Sequence, residues 1–144
     1  MRIVTAAGPI DPGALGATLM HEHVTSHSPG ENDALAAAQR ALVGLSDLGI
    51  RSVVDVTGRS RAGSARGLRD LETLTERLDV NLVVGFGCYK DPFLTEMALG
   101  LDLDELVELY RRQAADGIGG SRVRAGLFGE VGTSLDEIDR KSVV

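Results

Sequence analysis

Gly16-Ala17-Thr18-Leu19-Met20-His21-Glu22-His23 sets two imidazoles two residues apart at the end of an otherwise apolar, extended stretch. In a strand, side chains i and i+2 share a face, so the rings of His21 and His23 can converge on one ion. Neutral imidazole is the commonest protein ligand for metals. The chain has only three histidines, and these two follow Ala-Thr-Leu-Met instead of lying in a polar loop. That placement favours a ligand pair over a solvated surface strand. Glu22 alternates to the opposite face, where a salt bridge behind the strand is its expected role.

Around this stretch the sequence alternates strand and helix. Arg2 to Thr5 and Gly16 to Val24 are separated by Gly8-Pro9 and Asp11-Pro12-Gly13, pairs that form turns, and read as a hairpin leading into a first buried strand. A helix is predicted from about Asp33 to Leu48, with Leu35, Ala38, Leu42 and Leu45 on one face and Gly49 as its C-terminal cap. Arg51 to Val56 is a short β-branched strand, Leu68, Leu71, Leu74 and Leu78 mark a second helix, and Asn81 to Phe86 reads as a strand buried on both faces. Asp102 caps a third helix, with Glu105 three residues on and a stop at Asp116-Gly117, and Arg124 to Thr133 is the last strand candidate.

The order βαβαβαβ predicts an α/β fold with a parallel sheet. A doubly wound nucleotide-binding sheet needs a glycine-rich turn between its first strand and first helix. None is there, and Gly85-x-Gly87 follows a later strand and lacks the third glycine. In a (β/α)-barrel the active groups gather at the C-terminal ends of many strands. His21/His23, Asp55/Thr57, Cys88/Tyr89/Lys90 and Glu130/Thr133 all fall at or just past such ends, so the barrel is the expected architecture.

Composition narrows the function. The chain is 144 residues long, 43% hydrophobic and 25% charged, which suits one soluble globular domain. A net charge of -6 and 3% aromatic residues with no tryptophan exclude a basic or base-stacking nucleic-acid surface. No run of 18 apolar residues or leader-like segment points to a membrane. The single cysteine, Cys88, excludes an internal disulfide, fits a reducing, cytoplasmic location and is expected to pack as a small apolar residue. Glu130 lies in Leu127-Phe128-Gly129-Glu130-Val131-Gly132. Burying an unpaired carboxylate there costs several kcal/mol, so it calls for a cation, unless it is simply exposed at a loose strand end.

Gly16-x-Thr18-Leu19-x-His21-x-His23, Val53-Val54-Asp55 and Gly129-Glu130-Val131-Gly132-Thr133-Ser134 together resemble the phosphotriesterase family of the amidohydrolase superfamily. Asn81-Leu82-Val83-Val84-Gly85 and Tyr89-Lys90-Asp91-Pro92 extend the likeness to about residue 138. Glu130 stands where some members carry a carboxylated lysine, which is similar to the phosphotriesterase-related, glutamate-bridged branch. The resemblance implies a TIM-like (β/α)8 barrel with two divalent metals, usually zinc. His21 and His23 would hold the first and Glu130 would bridge to the second. A hydroxide between them would attack a phosphoester, lactone or other ester. Asp55 and Thr57 would orient a histidine ring, with Asp55 equally able to cap the following loop. Tyr89 would line the substrate pocket or pack, and His27 would be solvated.

The resemblance also implies eight βα units, of which this chain supplies the first four, residues 1–138. Two histidines and an aspartate from later strands would complete the ligand set, so the chain alone is expected to be inactive. Asp139-Arg140-Lys141-Ser142-Val143-Val144 departs from the family's continuation and matches one reading frame of a common sequencing adapter; a non-native tail is the expectation there. A half-barrel exposes two sheet edges, so poor solubility is expected, and the alternative function is a non-catalytic half-barrel that self-associates or complements another chain. A sugar- or nucleotide-binding module ranks last for want of a phosphate loop.

Overall fold

Strand β3 (Thr18–Glu22), strand β4 (Ser52–Asp55), strand β5 (Asn81–Phe86) and strand β6 (Leu127–Phe128) form one parallel sheet in that order. The computed structural model describes residues 1–24, 34–57, 71, 73–75, 77–88 and 100–132. His27, Tyr89, Thr133, the tail 139–144 and the side chains of Leu35 and Leu68 lie outside the described residues.

The two central strands carry the β-branched runs, and their pleated surfaces are covered on both faces. Val53 pairs with Leu82 and Val54 with Val83. Alternation then divides the core. Val53, Leu82, Val84, Phe86 and Cys88 face the helices, while Val54, Val56 and Val83 face the other way and meet Ile3, Leu15 and Leu127. Full burial of one such aliphatic side chain contributes about 1.5–3 kcal/mol.

Helix α1 (Ala34–Asp47) buries Ala38 and Leu42 against this sheet. It ends in a Schellman motif: the Ile50 N–H bonds the Leu45 carbonyl at 3.0 Å and the Gly49 N–H bonds that of Ser46 at 2.9 Å. Gly49 takes φ +84° there, which glycine adopts at little cost. Leu71 and Leu74 lie on a helical segment and are fully buried. Helix α2 (Leu103–Ala115) begins with the expected capping box. The Asp102 carboxylate accepts from the Glu105 N–H and the Glu105 carboxylate accepts from the Asp102 N–H, both at 2.9 Å. Such a cap stabilises by about 1 kcal/mol.

Three expectations change. The opening hairpin forms between strand β1 (Ile3–Thr5) and strand β2 (Gly8–Ile10), not with the histidine-bearing segment. Gly8-Pro9 is strand instead of turn, because a two-stranded ribbon offers Pro9 an edge position where its missing N–H costs nothing. The ribbon lies across the N-terminal end of the sheet, with the Ala6 N–H on the Leu82 carbonyl at 2.8 Å.

The histidine strand, β3, is half exposed instead of buried, since it is an edge of the described sheet. Its register slips between Leu19↔Val53 and Glu22↔Asp55, so Met20 and His21 share the place opposite Val54. Such a bulge bends the strand and re-aims its side chains. Met20 is left 69% exposed.

The last strand pairs in a ladder only at Leu127–Phe128. On either side of it the chain still follows β5, through Gly126 to Val84 before it and Gly129 to Phe86 and Gly132 to Cys88 after it, each glycine N–H donating to a carbonyl. Three residues advance for every two on β5. The extra residue at each step breaks regular alternation, which is why the long predicted strand is not one.

Candidate metal centre

His21 and His23 emerge at the C-terminal end of β3, and Glu130 two residues past the end of β6. The His21 and His23 rings meet edge to face, centroids 5.5 Å apart at 74°. His21 Nε2 lies 3.9 Å from Glu130 Oε1, and one ligand atom from each of the three residues falls within 4.8 Å of the others. The two histidine rings converge as their i, i+2 spacing predicts, and the fold adds a carboxylate from over 100 positions away.

Stability does not account for this convergence. The His21 side chain is 62% exposed and that of Glu130 29%, and an exposed ion pair contributes about 0–1 kcal/mol. The deep burial expected of Glu130 is not found: β6 is a sheet edge, and its flanking glycines cover little. The donor set suits a divalent cation. Donors about 2.0–2.1 Å from a tetrahedral zinc are about 3.3 Å apart, so the 3.9 Å pair must close by about half an ångström, and a pair at the 4.8 Å limit by about 1.5 Å, on binding.

Close backbone approach puts Glu130 there. A Cβ on Gly85 would collide with the Gly129 carbonyl, and one on Gly87 with the Glu130 carbonyl. Gly85-x-Gly87, which held no phosphate-loop pattern, thus lets the Glu130 segment lie against β5. A Cβ on Gly126 would likewise meet the Val4 carbonyl of the hairpin. Gly16 takes φ +59° at the entry to β3, with room for no Cβ beside Arg51.

Asp55 is wholly buried at the end of β4, where its Oδ1 accepts from the Thr57 N–H at 3.0 Å and the Thr57 hydroxyl at 2.5 Å. It is the register partner of Glu22, and alternation puts both on the face away from the histidines. Thr57 thus closes a capped turn on the Asp55 carboxylate. Among the described residues Glu22 makes no ion pair. Cys88 is 1% exposed and packs in the core as expected.

The sequence places Tyr110 with Leu106 and Leu109 on the apolar face of its helix, but does not reveal the contacts it makes. Tyr110, on the apolar stripe of α2, is 4% exposed, edge-on to Phe86 at 5.4 Å and stacked on Phe128 at 5.2 Å. Its hydroxyl accepts the Cys88 N–H at 3.1 Å. Burial, reinforced by the contact with Cys88, pushes its phenol well above the usual range. The available signal was a tyrosine, one of two in the chain, on a helix face otherwise filled by leucine.

The curated N-acetyltaurine hydrolase of Rattus norvegicus is 24% identical over 97% of this chain and 50% of its own length. A phosphotriesterase homology protein of Escherichia coli K12 is 28% identical over 85% of this chain and 44% of its own. The chain spans about half the length of the curated relatives it matches. A resiniferatoxin-binding protein from Rhodobacter sphaeroides superposes with TM-score 0.80 at 28% identity, covering 97% of this chain and 49% of that one. For the organophosphorus hydrolase of Deinococcus radiodurans the values are 0.69 and 27%, over 89% of this chain and 43% of that one. The sheet of strands β3 to β6 with its helices is therefore half of a TIM-like barrel. The Phosphotriesterase family model matches residues 1–142, and the chain belongs to that family.

Proposed function

We propose that this chain forms the metal-holding N-terminal half of a divalent-metal-dependent hydrolase, with His21, His23 and Glu130 as its contribution to the centre. The convergence of their three donor atoms within 4.8 Å at the open ends of the sheet is the observation that carries this. The imidazoles donate lone pairs as neutral ligands, and the Glu130 carboxylate offsets cationic charge. When bound, zinc or a similar cation supplies Lewis acidity and lowers the pKa of water. In a glutamate-bridged pair Glu130 would face two such ions, with further ligands from outside these 144 residues. With His21 exposed, the substrate would be a small molecule with an electrophilic phosphorus or carbonyl carbon, as in a phosphoester, lactone or other ester. The relatives named as hydrolases support this class of reaction. No helix among the described residues is long and apolar enough to cross a membrane, and a cytoplasmic site of action belongs to the same proposal.

The second reading is a non-catalytic half-barrel that pairs with a copy of itself or a complementary chain. It is favoured by the two edge strands of the described sheet and by exposed Met20, Phe128 and Val131 near them. One preparation separates the two. Purified chain dialysed against zinc, then measured for metal content, oligomeric state and turnover of paraoxon and a lactone, is expected to retain zinc stoichiometrically. Turnover in addition would place the activity in this chain itself. A stable dimer without metal would refute the metal centre and support the second reading.

A further inference from the structure

We infer that Tyr110 is a positioning residue for Glu130, a role that rests on the metal-centre reading above. The segment carrying Glu130 is held to β5 beyond the short ladder by the glycine N–H groups of residues 129 and 132, which bond the carbonyls of Phe86 and Cys88. Tyr110 touches both of those β5 residues: its ring meets Phe86 and its hydroxyl takes the Cys88 N–H. It also stacks on Phe128, two residues before Glu130. One side chain from α2 thus braces the end of β5 and the end of β6 together, just where the ladder becomes irregular.

Glycines at 85, 87, 126, 129 and 132 permit that close path, but they cannot fix it. Glycine offers the widest backbone freedom of any residue, so a segment rich in it needs an external reference to place a carboxylate reproducibly. The Tyr110 ring supplies apolar contact to both strands, worth about 0.5–1.5 kcal/mol per aromatic pair beyond area burial. Its hydroxyl satisfies a buried N–H that would otherwise be unpaired. Phenylalanine would keep the stacking and lose the hydroxyl. Leucine would lose both.

The test compares the whole chain with Tyr110→Phe and Tyr110→Leu by two readouts. The first is amide hydrogen exchange in the metal-free protein. Faster exchange at Cys88, Gly129 and Gly132 is expected in both variants, with the Val56 N–H, which bonds the Glu22 carbonyl on the other side of the sheet, unchanged. The second is Co2+ binding followed by its visible absorption bands. Affinity is expected to fall about tenfold in Tyr110→Phe and about a hundredfold in Tyr110→Leu, in the range seen when residues supporting metal ligands are removed, with altered band positions. Exchange that stays unchanged, or rises equally across the sheet, would overturn the inference. So would local exchange changes accompanied by wild-type cobalt affinity and spectrum. If the wild-type chain takes up no cobalt, the metal-centre reading fails, and the exchange pattern alone decides whether Tyr110 holds the Glu130 segment.

Discussion

Replacing His21 with alanine is expected to remove metal binding while leaving the metal-free fold almost untouched. The His21 side chain is 62% exposed, and exposed positions tolerate substitution within about 0.5 kcal/mol. Its imidazole is nonetheless one of only three converging donors among the described residues. Loss of a direct ligand should weaken zinc affinity by about a hundredfold or more, since residues that merely support ligands already cost 10–100-fold. At zinc held a hundredfold above the wild-type dissociation constant, binding stabilises the native state by about 2.7 kcal/mol, and a hundredfold weaker site leaves about 0.4 kcal/mol. For a chain of this length that difference is about 5–10 °C in Tm. Thermal unfolding with and without zinc checks it: wild type gains the shift and His21→Ala does not. An equal zinc shift in both would remove His21 from the centre.

Gly87→Ala should damage both the fold and the site from a position with no chemistry of its own. The added methyl would meet the Glu130 carbonyl oxygen, and backbone cannot swing aside as a side chain does. A cost of about 2–4 kcal/mol is expected, somewhat above ordinary overpacking of 1–3 kcal/mol, together with displacement of Glu130 and weakened metal binding. Gly44→Ala is the opposite case. Gly44 lies exposed within α1 with nothing within 4 Å of an added Cβ, so alanine should stabilise by about 0.5–1 kcal/mol through helix propensity. Denaturant midpoints of the two variants should therefore move in opposite directions. A Gly87→Ala protein as stable as wild type would mean that β5 and the Glu130 segment do not approach as closely as described.

Much of the fold was legible because the signals were local or periodic. The capping box at Asp102 and Glu105, the glycine cap at residue 49 and the apolar run from Asn81 are each specified by a few neighbouring residues. The histidine pair was legible for the same reason, as i and i+2 on one strand. The bulge opposite Val54 was not, because a register slip depends on how β3 meets β4 and no residue in Met20-His21 announces it. The path of residues 126–132 was misread as a regular strand, since its three glycine N–H contacts depend on the glycines of a different strand. The partnership of Asp55 with Thr57, two residues on, was legible as the loop cap that its strand-end position allows. The bond of the Tyr110 hydroxyl stayed hidden because hydrophobic spacing describes which face a side chain occupies and says nothing of the N–H its hydroxyl will meet.

His21, His23 and Glu130 are proposed to hold one divalent ion jointly. This is tested most directly by anomalous diffraction at the zinc edge on zinc-loaded crystals. One ion is expected about 2.0–2.1 Å from a nitrogen of each histidine and about 2.0–2.2 Å from a Glu130 oxygen. A fully loaded ion bound elsewhere, or bound by the histidines with Glu130 turned away, would contradict it.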